Sequence, residues 1–482
     1  MTAELGTLVL LSYYPQLSMI RDALRSSGKR IFLVGGALRD YYLNRRGTDF
    51  DFAVNGGAIA LSRKLARKIK GTFVLLDGEH GSARVVKKQD GVIYTFDLTD
   101  WRGASIQKDL NLRDFTINAL AVDIFSQDKG DGAILEVKAS RRDLNSGVVR
   151  MISPKGFKDD PLRLLRAFSL QATLGFKIEA ETLKQIKKDT HLISTVAAER
   201  IREEIFRVLA SPRAYDTISR MDKIGLLPQV IPQITVMVGI DQGGYHHLDV
   251  WRHSLEVVLK IEKLIDELSS HERMKSYLNE SIGGGHTRLA LLKMAAILHD
   301  IGKPETRRLE GVRTTFHSHE HAGQRIVRQL AKHLRLSVKE RFFLEDAVRM
   351  HLRPGYLSNF KTPSEKAVFR YFRDTKDEAV SLCILALADQ AATCGPLTTE
   401  DKAKHHAKIC YMLIERYFEL KDQKPRKRLL TGHDLIKVLK LQPSALFGKI
   451  LSSVEESAAL GKIKTKGEAV VLARKMVKNA TI

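Results

Sequence analysis

"FLVGGALRDYYLNRRGTDFDFAV", residues 32 to 54, runs from an apolar stretch into two glycines, then an arginine and an aspartate, then a second apolar stretch holding two aspartates one residue apart. "RIFLVGG" reads as a short buried strand ending in a turn, with "ALRDYYL" starting a helix. Gly35 and Gly36 permit tight backbone geometry, and the first helical amides face outward. Such a turn can hold phosphate oxygens, and Arg39 adds positive charge. "DFDFAV" reads as the next strand, where Asp49 and Asp51 alternate with period two and so point to one face. Strands deplete aspartate, and two like charges on one face repel. A divalent cation removes the conflict. Mg²⁺ takes oxygen ligands and bridges to phosphates, and two metals clamping attacking and leaving oxygens serve phosphoryl or nucleotidyl transfer. A solvated edge strand accounts for the acids but not for their pairing with the glycine turn.

A third carboxylate would complete such a site. "GVIYTFDLTDWRG" reads as an apolar strand with Asp97 at its end, while the rival Asp100 is expected past the strand in a turn. "DLNLRDFTINALAVDI" follows, with Arg113 and Asp114 ahead of an apolar segment containing Asn118. Taken alone, that Arg–Asp pair is a surface salt bridge. In "DDPLRLLRAFSL", Asp160 and Arg163 lie three apart and are expected to share a helix face. A planar fork of donors beside a carboxylate acceptor could satisfy the edge of a base.

Composition bounds the rest. A chain of 482 residues exceeds one ordinary core, so two to four domains are expected. A hydrophobic content of 44% excludes global disorder. Lys+Arg 79 against Asp+Glu 56 gives a formal charge of +23, which points to a polyanion, nucleic acid first. Cys383, Cys394 and Cys410 show no zinc-like spacing, and a reducing cytoplasm is expected. The opening "MTAELGTLVLLSYYPQ" lacks a basic leader, so no signal peptide is read. No run approaches the roughly 18 apolar residues of a spanning helix, so no membrane partner is expected.

"GGALRD", the "DFD" pair and "RDFTINALA", in this order, resemble the bacterial tRNA nucleotidyltransferase and poly(A) polymerase family of the polymerase-β-like superfamily. The resemblance continues through "DLNSGVVRMISPKGFKDDPLRLLRAFSLQATLGFKIEAET" and "AAERIREEIFRVLAS". It implies an α/β nucleotidyltransferase head followed by mostly α-helical domains. It also implies Mg²⁺ on Asp49 and Asp51, triphosphate contacts from Arg39 and Arg113, and Asp114 near the ribose. Asp160 and Arg163 would select incoming C and A without a template, and Arg166, one turn on, would face the same site. The family often has Arg where this chain has Leu112, and Glu where it has Asp159. "ERIREEIFRVL" reads as a neck helix supporting the base-reading helix.

The middle of the chain carries a second set of chemical residues. "HHLDVWRHSLEVVLKI" holds His253, and "LALLKMAAILHDIGKPE" is a nearly all-apolar helix ending in His299 and Asp300. "FHSHEHAGQRIV" adds His319, "AVRMHLRPGYL" adds His351 and "LCILALADQAAT" adds Asp389. Each alone reads as a satisfied core residue or a cap. Together, on apolar helices, they need partners or a metal, and their order resembles the HD phosphohydrolase domain. That resemblance implies His253, His299, Asp300 and Asp389 as metal ligands, with His319 and His351 holding a second metal or the substrate phosphate. Imidazole with carboxylate suits Mn, Ni, Co, Fe or Zn better than Mg alone. Such a site activates water against a phosphoester.

The expected division is a head at 1–148, a helical neck at 149–215, an HD domain at 216–420 and a basic helical region at 421–482. "YLNESIGGGHT" reads as a flexible insertion, and "KPRKR" as a solvated linker or an RNA contact. The expected reaction is addition of C and/or A from CTP and ATP to the 3′ end of tRNA. In complete CCA-adding relatives a long flexible loop separates the third carboxylate from "RDFTINALA". Here only "LTDWRGASIQKDLNL" does so, which resembles relatives that add CC, or A, alone, with full CCA addition kept as the default expectation. The rival readings are a poly(A) polymerase, an HD phosphohydrolase whose head only binds RNA, and a non-catalytic RNA-binding protein.

Overall fold

The computed structural model describes residues 7–126, 134–137, 139–268, 270–311, 313–423 and 427–480. The chain divides into two compact units, Met1–Val230 and Ile231–Ile482.

The first unit is built on a seven-stranded sheet. Its strands are β1 (Ile31–Val34), β2 (Asp49–Val54), β3 (Thr72–Asp77), β4 (Ser82–Gln89), β5 (Val92–Asp100), β6 (Leu120–Asp123) and β7 (Ile134–Glu136). The order across the sheet is β3-β4-β5-β2-β1-β6-β7. Neighbours run antiparallel except β2 and β5, which pair in parallel with Asp51 beside Asp97. β1 is buried throughout, as its continuous apolar run requires. α1 (Gly36–Tyr42) follows the glycine turn, and α2 (Ala58–Ile69) presents Leu61, Leu65 and Ile69 to the core.

Alternation along β2 puts Asp49, Asp51 and Ala53 on one face. α3 (Ile106–Asn111) covers part of that face. Its Ile106 and Leu110 join Phe32, Val34 and Ala53 in one core, with Trp101 packed alongside. The acids therefore sit on the stretch of the face that α3 leaves open. β5 extends to Asp100, contrary to the turn expected there, because Val54 and Asp100 continue its pairing with β2. After the sheet, α4 (Arg163–Leu174) packs against α5 (Ala198–Ala210), the expected neck helix.

Among the described residues, the second unit is helical apart from a small hairpin at Arg308–Glu310 and Arg313–Thr315. Its central helices are α6 (Val250–Leu268), α7 (Arg288–Leu298), α8 (His319–His333), α9 (Val338–Met350), α10 (Ala379–Ala392) and α11 (Glu400–Asp422). α7 and α10 are buried along most of their length, as their apolar sequences demand. "YLNESIGGGHT" is a bonded turn rather than a loose insertion. Ser281 bridges Thr287, and His286 Nδ1 lies 2.6 Å from Glu340. The last helices, α12 (Gly432–Leu439), α13 (Ala445–Ala459) and α14 (Lys466–Ala480), enclose a small core of Leu430, Leu435, Ile450, Val454, Ala469 and Ala473. Glu456 on α13 gathers Lys366, Arg370 and Arg373. Residues 424–426 of "KPRKR" lie outside the described residues. Among the described residues, no helix is long and apolar enough to cross a membrane.

Candidate active sites

The first site grows from the glycine turn. Gly35 has φ +73°, and a Cβ there would lie 3.3 Å from Arg113 Nη1 and 3.4 Å from Asp51 Oδ2. Glycine accepts that backbone and lets it run against both groups. Asp49 accepts a hydrogen bond from Thr95 Oγ1. Asp97 is held by both donors of one guanidinium, Arg84 Nε and Nη2, at 2.7 Å each. Asp100, the rival third acid, is engaged elsewhere: its Oδ1 accepts from the Ala58 amide at 2.8 Å, at the start of α2.

Asp51 keeps solvent contact but lies deep among protein atoms. That desolvation lifts its carboxyl above the ordinary range; Arg113 and Arg166 pull it down, while Asp97 and Asp49 push it up. A carboxylate raised by crowding and by neighbouring acids gains from a cation. The surrounding donors are all carboxylate oxygens, the set a hard ion such as Mg²⁺ takes.

A polar chain stands next to these acids. Arg39 Nη1 donates to Asn118 Oδ1 at 2.9 Å, and Gly36 lies against the same guanidinium. Asn118 Nδ2 donates to Asp114 at 3.2 Å, and Arg166 Nε reaches Asp114 at 2.8 Å. Burial pushes the Asp114 carboxyl up, but Arg166 and the Phe115 amide outweigh it and hold it below the usual range. Asp114 is therefore a fixed negative charge amid arginines.

Asp160 and Arg163 do not share a helix face. Asp160 has extended backbone, φ −146° and ψ 94°, at the end of the short helix Lys155–Asp159. Pro161 is the reason, since a residue before proline is driven out of the helical region. Arg163 is instead the first residue of α4. The Asp160 carboxylate is gripped by Arg200 at 3.1 and 2.9 Å. Arg163 donates to the Arg113 carbonyl at 3.2 Å and the Leu112 carbonyl at 2.8 Å.

The second site gathers six side chains. His253 Nε2 lies 2.9 Å from Asp389, and His253, His299 and Asp389 converge as one triad. Asp300, His319 and His351 form another. Asp300 also stands with the first set, where it was expected. Its Oδ2 lies 3.1 Å from His299 Nε2, but its Oδ1 lies 3.3 Å from His319 Nε2 and 3.8 Å from His351 Nε2. One carboxylate faces both triads because His299 and Asp300 follow directly on the end of α7, between them.

Three of the imidazoles are oriented alike. His299, His319 and His351 each place Nδ1 against the carbonyl three residues back, at 2.8, 2.9 and 2.7 Å. An imidazole donating through Nδ1 presents a lone pair at Nε2, the tautomer a metal needs. Burial, with His299 nearby, holds His351 down to about 3, which keeps it neutral. Buried imidazole plus carboxylate fits a transition metal. Lys303 Nζ donates to Asp300 Oδ2 at 2.6 Å and to Gln242 at 2.6 Å, and His246 stands edge-on to His253 at 4.7 Å. A cleft of about 680 Å³ opens on His351 and Asp389, with Tyr356, Asn359, Lys402 and His405 on its walls.

Arg84, Asp109, Arg200, Lys303 and His246 were not singled out from the sequence. Asp109, Arg200, His246 and Lys303 lie inside stretches quoted above for other residues, and only Arg84 lies outside all of them.

An antiparallel-rich sheet with acids on adjacent central strands, beside a glycine turn and an arginine cluster, defines a polymerase-β-like nucleotidyltransferase head. The Poly A polymerase head domain family matches residues 31–150. The probable RNA and SrmB-binding site of polymerase A matches 175–237, and the HD domain matches 250–393. The chain is 32% identical to the CC-adding tRNA nucleotidyltransferase of Thermus thermophilus, over 92% of each chain. It is 30% identical to the A-adding tRNA nucleotidyltransferase of Deinococcus radiodurans, over 91% of this chain and 93% of that one. A solved CCA-adding enzyme with ATP shares the fold at a TM-score of 0.62 and 18% identity, covering 98% of this chain and 100% of the other. The chain belongs to the bacterial tRNA nucleotidyltransferase family that carries an HD domain, and it is a nucleotidyltransferase.

Proposed function

We propose that this chain adds two C residues from CTP to the 3′ end of tRNA, leaving the terminal A to another enzyme. The observation that carries this reading is the link between Asp100 and Arg113. It is short and folds into α3, which Ile106 and Leu110 anchor in the core. With that link held as a helix, the base site would read one base and not reshape for a second. Arg163 offers two parallel donors once a nucleotide displaces the Leu112 and Arg113 carbonyls. The pairing edge of cytosine presents two adjacent acceptors beside its amino donor, whereas that of adenine presents one, so the fork favours C. Asp160 would accept from the amino group after releasing Arg200.

In the reaction, the tRNA 3′-oxygen attacks the α-phosphorus, the bond to the bridging oxygen breaks and pyrophosphate leaves. Asp49 and Asp51 would hold Mg²⁺, which supplies charge neutralisation at the α-phosphate when bound. Arg39 and Arg113 hold the triphosphate, Asp114 fixes Arg166 and Asn118 around the ribose, and Asp97, charge-paired with Arg84, orients the attacking hydroxyl. Positioning and charge stabilisation carry the acceleration. The three cysteines are free thiols, which supports a cytoplasmic setting. The test uses tRNA ending at the discriminator base and tRNA ending in CC, each with CTP alone, ATP alone and both. Growth of the first by two with CTP, and no growth of the second with ATP, is expected. Growth of the first by three with both nucleotides would overturn the reading.

A second activity is favoured by the common Nδ1 anchoring of His299, His319 and His351. His253, His299 and Asp389 would hold one transition metal, Asp300 with His319 and His351 another, and the pair would supply an activated water. The adjoining cleft is roomy enough to admit a nucleotide, with Tyr356 as a stacking surface and Lys402 for charge. The proposed substrate is therefore a phosphoester at an RNA end, such as a 2′,3′-cyclic phosphate. Hydrolysis that appears on adding Mn²⁺, Ni²⁺ or Co²⁺ supports this; none with any of them refutes it.

A further inference from the structure

We infer that Asp109 is a positioning residue that aims Arg113 at the triphosphate of the incoming nucleotide. Asp109 is 3% exposed, the buried acid of α3. Its two oxygens are divided between two arginines. Oδ1 accepts from the Arg102 amide at 3.1 Å and from Arg102 Nε at 3.0 Å. Oδ2 accepts from Arg113 Nε at 3.1 Å and Nη2 at 3.0 Å.

That division decides where Arg113 points. A guanidinium is a rigid planar fork. Holding its Nε–Nη2 edge from behind fixes the plane and leaves Nη1 facing forward. Nη1 is the atom that lies 3.3 Å from the Cβ position of Gly35, on the side where Asp51 stands. The phosphate-cradling turn, the candidate metal acid and the free edge of Arg113 therefore meet at one point, and Asp109 sets the third of them.

The sheet face explains how the clamp stays rigid. Ile106 and Leu110 anchor α3 in the same core as Ala53, two residues beyond Asp51 on β2. Arg102 Nη1 returns to the Leu112 carbonyl at 3.4 Å, closing the segment on itself. Without Asp109, Arg113 would lie beside Arg102 and Arg163 with no anion behind it, and its rotamers would be free. An unanchored arginine can still meet a triphosphate but must first be ordered, which weakens binding.

The inference rests on the nucleotidyltransferase reading of this site, not on which base is added. It predicts a loss confined to phosphate recognition. The experiment compares wild type with Asp109→Asn, which keeps the size and removes the charge. Tripolyphosphate probes the phosphate subsite as a competitive inhibitor, and cytidine and adenosine probe the base subsite. In Asp109→Asn the KM for the nucleotide triphosphate and the Ki for tripolyphosphate should both rise about tenfold. The Ki for each nucleoside should stay within twofold, and kcat within about threefold. A purely structural role would weaken nucleoside and tripolyphosphate together, and that result would overturn the inference. So would unchanged tripolyphosphate inhibition. Should Asp109→Asn not fold, Asp109→Glu retains the buried charge but displaces its oxygens, and the same split at about threefold is expected. A wild-type enzyme that adds A rather than C would sink the CC reading and leave this comparison intact.

Discussion

The two candidate centres solve the problem of holding a cation in opposite ways. On the sheet, Asp49 and Asp51 are exposed carboxylates on a strand, with hard oxygen donors only. In the helical unit, His253, His299, Asp300 and His351 are almost fully buried, and three imidazoles are fixed by backbone carbonyls. An open acid face suits an ion that arrives with the substrate's phosphates and leaves with pyrophosphate. A buried, pre-oriented imidazole set suits a resident metal that keeps its place through turnover. Each centre should therefore fail in its own way when disturbed.

The largest effect is expected at the open face. Asp51→Asn or Asp49→Asn would remove a carboxylate proposed to hold the cation that neutralises the reacting phosphate, a loss of several kcal/mol, or at least about a thousandfold in kcat. Primer extension with labelled nucleotide measures it, and a variant within tenfold of wild type would place the metal elsewhere. In the buried centre, Asp300→Asn weakens both triads at once. Phosphoester hydrolysis should fall by about a hundredfold or more. A chelator should abolish the same activity, with return on adding a transition metal but not Mg²⁺. Retention of hydrolysis after complete metal removal would exclude a resident ion.

A smaller effect is expected for Arg84→Gln. Asp97, beside Asp51, would lose both 2.7 Å bonds to the Arg84 guanidinium. Loss of a bidentate charge-assisted pair costs about 2–3 kcal/mol where it is fully used, and roughly a tenfold to hundredfold fall in kcat should follow with little change in nucleotide KM. A change in KM alone would show that Asp97 serves binding rather than orientation.

The smallest effect concerns stability alone. Glu340 is desolvated by burial, yet His286 and the Ser337 amide outweigh that and hold its carboxyl at about 2 instead of 4.5. A depressed carboxyl stabilises the fold above the unfolded value and loses that contribution as pH falls through the folded one. Glu340→Gln should therefore lower stability by roughly 1–2 kcal/mol at neutral pH, with some of the charge effect screened. Denaturation followed from pH 7 downward should show the gap narrowing between about 4.5 and 2. A gap independent of pH would assign the loss to packing.

What the sequence revealed tracks how local each feature is. Period-two alternation put Asp49 and Asp51 on one face because that needs only the strand itself. The His–Asp pair ending α7 was legible because a buried apolar helix leaves polar termini conspicuous. The neighbour of Asp51 was harder. Asp97 stands beside it only because β5 returns past β3 and β4 to pair with β2 in parallel, a choice made by tertiary packing. Arg84 was hidden for the same reason, since it is defined by the β4–β5 register. The shared helix face expected of Asp160 and Arg163 failed on a local rule, because Pro161 breaks the helix that their spacing suggested. Asp300 was assigned to one triad because spacing along the chain does not show that its two oxygens face opposite ways.

The central claim is that one chain carries two centres that fail separately. The direct measurement takes Asp51→Asn and Asp300→Asn, each folded and each supplied with Mg²⁺ and Mn²⁺, and assays both activities on the same preparations. One substrate is tRNA lacking its 3′ end, with CTP, and the other is an RNA ending in a 2′,3′-cyclic phosphate. The account predicts that Asp51→Asn loses addition and hydrolyses at the wild-type rate, while Asp300→Asn does the reverse. Loss of both activities in either folded variant would contradict it.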